Sequence, residues 1–169
     1  MELRIREAVY TDLERILEII NHAIETTTAV YDYDPRSFEM QEQWFAEKQS
    51  EGFPIFVAEY DNEVIGYGTY GTFKPKVGYR FSVEHSIYIA ENARGKGVGK
   101  KLLETLITSA TTGGYHAMIA VIDSDNVNSI LFHKNYQFVE MGQLKEVGYK
   151  FDKWLDVTFM QLMLKNELS

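Results

Sequence analysis

The chain contains no cysteine, which excludes disulfide frameworks, thiolate metal sites and cysteine nucleophiles, and fits a reducing compartment. No stretch is apolar and long enough to span a membrane, and the opening Met1-Glu-Leu-Arg-Ile-Arg6 lacks the apolar core of a signal peptide. A cytoplasmic location with no membrane partner is therefore expected. Basic residues are outnumbered, 17 Lys and Arg against 25 Asp and Glu, for a net charge of -8. That balance argues against nucleic-acid binding, because phosphate backbones need a broad basic surface. Internal repeats, low-complexity segments and linkers are also missing, so residues 1–169 read as a single domain, long enough to bury a full core. No His-Glu-x-x-His occurs, and His22 and His116 lack partners at metal-ligand spacing, so no metal is expected.

What is present is an alternation of strand and helix patterns. Leu3 and Ile5 alternate with charged residues in a first strand ending near Glu7, and Thr11-Asp-Leu-Glu14 reads as a capping box. The helix it opens carries Leu13, Ile16, Leu17, Ile20, Ala23 and Ile24 on one face. A polar segment from Glu25 to Arg36 breaks it, and a second helix starts at Ser37 and ends at Pro54. Ile55–Tyr60 and Val64–Thr72 form a hairpin about Asp61-Asn62, and Phe81–Ala90 is the next strand. A helix from about Val98 stops at Gly113-Gly114. Ala117–Ile122 is a buried strand, Asp125 or Asn126 caps a helix running to about Tyr136, and Phe138–Gln143 and Trp154–Leu164 pair around a loop containing Gly148. The order gives an α/β fold: one mixed, mostly antiparallel twisted sheet of six to seven strands flanked by about four helices.

Between the third of these helices and the strand before it lies Arg94-Gly-Lys-Gly-Val-Gly99. Glycines at every second position strip side chains from a turn, so backbone N–H groups can approach an anion, and the following helix adds its unpaired N-terminal donors. Arg94, Lys96, Lys100 and Lys101 form a basic island in an acidic chain. A Walker-A loop would need Lys-Ser/Thr where Lys100-Lys101 stands, and a dinucleotide fingerprint would need a third glycine where Lys100 or Leu102 stands. Neither nucleotide loop fits. A glycine turn serving geometry alone stays open on these residues.

Arg94-x-x-Gly97-x-Gly99, between a strand and an amphipathic helix, resembles the signature of the GNAT superfamily of acyl-CoA-dependent N-acetyltransferases. The resemblance implies acetyl-CoA as co-substrate. It also implies that Ile87, Tyr88 and Ile89 contact pantetheine through their backbone, with Arg94, Gly95, Lys96, Gly97, Val98, Gly99 and Lys100 around the pyrophosphate. Asn126-Val-Asn-Ser129-Ile-Leu-Phe-His133-Lys-Asn-Tyr-Gln137-Phe138 looks like that family's Asn-x-x-Ser helix, which makes Asn126 and Asn135 candidate polar contacts to the cofactor. Without the family, Asn126 and Ser129 read as cap and solvent residues. Gln137 stands where the family usually has glycine, so the helix end is expected to differ.

Tyr79-Arg-Phe-Ser-Val-Glu84-His-Ser-Ile-Tyr-Ile89 is similar to the phosphinothricin / methionine sulfoximine N-acetyltransferase branch, as are Asn21-His-Ala23 and the ending Gly148-Tyr-Lys-Phe-x-x-Trp154. The branch implies a small amino-acid-like amine acceptor and a homodimer. Glu84, upstream of an apolar strand, is the candidate general base that the resemblance implies, whereas the residues alone favour a solvent-facing glutamate or a partner of Arg80. His133 is the candidate acid for the leaving thiolate, with Tyr136 as the alternative. His85 should face away from Glu84. Arg80, then Lys74, would hold an acceptor carboxylate between aromatic walls that include Tyr79 and Phe81, and Glu25 would lie near the acceptor amine. Two rivals remain: a GNAT enzyme acting on a polyamine, aminoglycoside or peptide terminus, and a non-catalytic coenzyme A sensor.

Overall fold

A computed structural model describes residues 2–165. Position 1 and positions 166–169 of the expected domain lie outside the described residues. The elements run β1 (Arg4–Glu7), α1 (Leu13–Thr26), α2 (Phe38–Glu51), β2 (Ile55–Tyr60), β3 (Glu63–Thr72), β4 (Ser82–Ile89), α3 (Val98–Thr112), β5 (Ala117–Asp123), α4 (Val127–Asn135), β6 (Val139–Lys150) and β7 (Lys153–Met163). The strands form one seven-stranded sheet in the order β1-β2-β3-β4-β5-β7-β6. Every neighbouring pair is antiparallel except β4 and β5, so the expected mixed sheet with four helices is the architecture observed. No helix of the described residues is long and apolar enough to cross a membrane.

The periodicity of α1 accounts for its seat on the sheet: Leu13, Ile16, Ile20 and Ile24 are almost wholly buried. Each such side chain removed from water contributes roughly 1.5–3 kcal/mol. The start of α1 differs from expectation. A short 3-10 turn over Tyr10–Asp12 precedes it, and Asp12, not Thr11, is the organising residue. Its carboxylate accepts the Val9 amide at 2.8 Å and two bonds from the Arg6 guanidinium, at 2.7 and 2.9 Å. Those bonds hold the Asp12 carboxyl below the usual carboxylate range although burial pushes it up. Ser37 caps α2 by accepting the Met40 amide, as the sequence indicates, but the helix ends at left-handed Gly52 before Pro54 is reached.

The β2–β3 turn places Asp61 and Asn62 at positive φ, as a two-residue hairpin requires. At the other edge, the expected loop around Gly148 is instead part of β6. That strand continues to Lys150 across an irregular register between Leu144 and Gly148, and Phe151-Asp152, both at positive φ, makes the turn into β7. The β6–β7 ribbon is tied back to the segment between α1 and α2. Gly148 admits the Tyr31 ring, which lies only 2.4 Å from where a Cβ would sit, and the Tyr33 hydroxyl donates to the Tyr149 carbonyl. Buried Lys150 donates to the carbonyls of Ile24, Thr27 and Val30 at 2.6, 2.8 and 2.6 Å. At Ile24 and Thr27 this lysine satisfies carbonyls that the end of α1 leaves without helical partners, and at Val30 it ties down the segment that follows.

The α4 end corrects another expectation. Gln137 keeps the left-handed turn that glycine would favour, at φ 66°, and its amide donates to the Lys134 carbonyl at 3.0 Å. An L-residue there carries backbone strain of about 1–2 kcal/mol. Gln137→Gly should therefore raise unfolding stability by about 1 kcal/mol, a shift of roughly 2–4 °C in Tm for a chain of this length. Thermal denaturation reads it, and a fall in Tm would show that the glutamine side chain contributes more than the strain costs.

Candidate active site

The parallel pair at the centre of the sheet is short. Only Ser82↔Ala117, Val83↔Met118 and Glu84↔Ile119 are in register, after which β5 pairs with β7 alone. Beyond Glu84 the two strands separate, and β4 keeps only its β3 partner. The Ala90 amide donates to Ile65 and the Ser82 carbonyl accepts from Phe73, so even-numbered residues of β4 turn their backbone groups to β3. Ile87 and Ile89 consequently present theirs to the open side. Tyr88, expected to contact pantetheine through its backbone, is turned the other way and has only its side chain to offer.

The glycine loop lies just past this cleft. Gly95 and Gly97 adopt φ 76° and 78°, where L side chains are strained, and open space surrounds both. Gly97 is the N-cap of α3, whose first intrahelical bond runs from the Lys101 amide to the Gly97 carbonyl. The amides of Val98, Gly99 and Lys100 thus precede any helical partner and face the loop. Gly99 has a different reason to be small: a Cβ would stand 3.1 Å from the Ile89 side chain and 3.8 Å from Phe132. Among the described residues Arg94, Lys96 and Lys100 form no ion pair, leaving three cations beside the amide cradle. The arrangement fits a pyrophosphate whose attached chain runs along the open edge of β4.

On α4, the Asn126 side-chain Oδ1 caps the helix by accepting the Ser129 amide at 3.1 Å, and Asn135 is exposed at its last turn. His133 is buried, contrary to what a proton donor to a thiolate needs. Its Nδ1 hydrogen is given to the Ser129 carbonyl at 2.7 Å, and its Nε2 stands 3.0 Å from His85 Nε2. With Nδ1–H committed, His133 Nε2 accepts, His85 Nε2–H donates, and His85 Nδ1 is left buried without a partner. The stacked pair, walled by Phe132 and Phe138, has no proton free for chemistry. It joins α4 to β4. Tyr136 donates its hydroxyl to Glu104 at 3.1 Å.

Glu84 occupies the last register position before the strands part, and its side chain faces away from His85. It is half-buried, and among the described residues no hydrogen bond or ion pair engages its carboxylate. Burial pushes its pKa up, while the positive charges of Lys74 and Lys48 pull it down. On the β3–β4 connection, Tyr79 meets Phe73 edge-on at 6.0 Å and the Arg80 guanidinium lies over the Phe81 ring at 4.4 Å, with Tyr79, Arg80 and Phe81 exposed. Lys74 covers Phe73 at 5.5 Å. Glu25 is exposed in the last turn of α1 and engages no partner among the described residues. Lys48 and Lys150 escaped the sequence reading; a lysine on the buried side of α2 and one in an alternating strand were the signals available. A separate open groove of about 600 Å³ along Leu3, Ile5, Phe56 and α3 lies at the far side of the sheet and offers only Lys101 and Glu104 as charged groups.

A cleft between separating strands, an amide cradle at a helix N-terminus and a carboxylate at the cleft apex define a transferase built around a pyrophosphate-bearing acyl carrier. Residues 5–159 match the family described as Acetyltransferase (GNAT) domain. The chain belongs to the GNAT family and is an acetyl-CoA-dependent N-acetyltransferase. It is 44% identical over 165 residues to the L-methionine sulfoximine/L-methionine sulfone acetyltransferase of Pseudomonas aeruginosa, covering 97% of this chain and 96% of the relative. A ribosomal-protein-alanine N-acetyltransferase from Brucella melitensis superposes with a TM-score of 0.95 at 44% identity, over 96% of this chain and all, 100%, of the other. A phosphinothricin acetyltransferase from Sinorhizobium meliloti, crystallised with acetyl-CoA, gives a TM-score of 0.95 at 37% identity, over 100% and 92% of the two chains.

Burial and the neighbouring His133 lower the His85 pKa from 6.5 to about 3, and burial lowers that of His133. Between these limits the unfolded chain binds more protons than the folded one, so the stability tied to the pair is complete above about pH 6.5 and is lost as pH falls toward 3. Urea titrations across that window should show a declining unfolding free energy, with a shallower decline in His85→Leu. Equal slopes in the two proteins would remove the pair as the cause.

Proposed function

We propose that this enzyme transfers the acetyl group of acetyl-CoA to the amino group of a small amino-acid-like acceptor of the methionine sulfoximine, methionine sulfone or phosphinothricin type, with Glu84 as general base. The observation that carries the reading is the unengaged Glu84 carboxylate at the apex of the β4–β5 cleft, within the field of Lys74 and Lys48. An amine arrives as an ammonium, with a pKa of roughly 8–10, and has no lone pair until it loses a proton. Glu84, raised by burial, takes that proton directly or through water. The nitrogen attacks the thioester carbonyl, the carbonyl re-forms as the C–S bond breaks to release coenzyme A as thiolate, and the extra proton left on the nitrogen passes to water. With a thiol pKa of about 8.5, that leaving group takes its proton from water without a dedicated acid. This reading dispenses with His133.

Arg80 is the cation for the acceptor's carboxylate, since a guanidinium offers two parallel donors and its stack on Phe81 orients the fork. Lys74 adds charge, and Tyr79 and Phe81 line the approach. Glu25, exposed in the last turn of α1, attracts the ammonium in this reading. The unpaired outer edge of β6, with Val139, Met141 and Leu144 exposed, supports pairing with a second copy as a homodimer. A cytoplasmic location, a reducing compartment, is consistent with the absence of cysteine.

A thiol-release assay tests the acceptor: methionine sulfoximine, methionine sulfone and phosphinothricin against spermidine, an aminoglycoside and an alanine-terminated peptide. Turnover confined to the first three supports the proposal, turnover of the others assigns a different acceptor class, and acetyl-CoA binding without any turnover favours a sensor. Glu84→Gln should lower kcat about 100-fold at neutral pH with acetyl-CoA affinity kept. An unchanged rate would remove Glu84 from the reaction. Arg80→Ala should raise the acceptor KM about 10-fold or more without changing that for acetyl-CoA. Equal effects on both would make Arg80 structural.

A further inference from the structure

Lys48 sits on α2 in helical register with Gln41 and Phe45, the face turned to the sheet. Its ammonium donates to the Tyr70 carbonyl at 2.8 Å. It also stands 2.8 Å from the point where a Cβ on Gly71 would be. Gly71 is the cross-strand partner of Glu84. Side chains directly opposite in an antiparallel pair share a face, with β-carbons about 4.5–5.5 Å apart. The ammonium therefore fills the place of the side chain that Gly71 lacks, on the face that carries Glu84. No direct ion pair joins Lys48 to Glu84 among the described residues.

We propose that Lys48, admitted by Gly71, is a positioning residue for acetyl transfer, holding the half-buried Glu84 carboxylate ionised and oriented without occupying it. The proposal rests on the reading of Glu84 as general base. A contact ion pair would stabilise the carboxylate but cover the oxygen that must receive the proton. A cation anchored to a backbone carbonyl close by supplies the field and leaves that oxygen open. The other groups facing the pair are Lys74 from the β3–β4 connection, Tyr88 from the same face of β4, and Glu51 near the end of α2. Lys74 pulls the Glu84 pKa down more strongly than Lys48 does, but it stands exposed on a connection open to screening ions, whereas Lys48 is half-buried and anchored to a backbone carbonyl. The Phe53 ring, 5.4 Å from the ammonium, shields the opposite side.

The experiment is the pH dependence of kcat/KM for the acceptor in wild type, Lys48→Met, Lys48→Arg, Gly71→Ala and Glu84→Gln, with the KM for acetyl-CoA measured alongside. Lys48→Met should move the acidic limb to higher pH by about one unit, because the carboxylate loses a stabilising charge. Lys48→Arg should restore most of that shift, and Gly71→Ala, which displaces the ammonium, should reproduce it in a chain that keeps its lysine. The acetyl-CoA KM should stay constant throughout. A limb that does not move in either Lys48→Met or Gly71→Ala overturns the proposal, as does a rise in acceptor KM alone, which would make Lys48 a contact to the acceptor. If Lys48→Met does not fold, Gly71→Ala and Lys48→Arg decide. Loss of the limb in Glu84→Gln with no shift in the lysine variants defeats this inference only, whereas an unaltered Glu84→Gln profile defeats the base assignment and this inference with it.

Discussion

The site depends on the early separation of β4 from β5. Three residue pairs hold the strands together, ending at Glu84, and the remaining half of β4 is left with one unpaired edge. Unpaired backbone donors and acceptors in a sheet interior are costly unless something fills the gap. Here the gap opens beside a loop whose amides and cations await an anion. A carrier with a phosphate-bearing end and an amide-bearing arm satisfies both in one binding event. In the proposed reading, the reacting thioester then lies where the strands begin to part.

The two faces of the sheet divide the work. On the α3 and α4 side, Gly66, Gly68 and Gly99 allow close helix approach, and the His85–His133 pair fastens α4 to β4. That side is a donor platform. On the α1 and α2 side, Glu84, Gly71 and Lys48 make a small polar patch in an otherwise apolar contact. On the same side, Lys150, Tyr31 and Tyr33 bind the segment between α1 and α2 to the β6–β7 ribbon. Shaping this side relies on contacts between residues more than a hundred positions apart.

Much of the donor side is legible in the sequence, because it is local. The strand, the glycine loop and the helix follow one another, and Gly95 and Gly97 have the left-handed geometry their residue type suggests. The helix caps at Ser37 and Asn126 are equally local. What escaped depends on distant partners. His133 looks like an acid only until His85, from another element, is seen to occupy its ring nitrogen. Lys48 and Lys150 look like solvent lysines, since neither pattern shows that Gly71 leaves room for one or that the end of α1 presents carbonyls to the other. Gln137 misled in the opposite direction, because the turn was held by its neighbours despite the strain.

Amide hydrogen exchange along β4 tests the central claim most directly. In the free enzyme the amides of Ile87 and Ile89 should exchange faster than those of Ser86 and Tyr88, which are bonded to β3. Saturating acetyl-CoA should slow both while leaving the β3-facing pair unchanged. If Ile87 and Ile89 exchange at the same rate with and without bound acetyl-CoA, the cleft between β4 and β5 is not the donor site and the account fails.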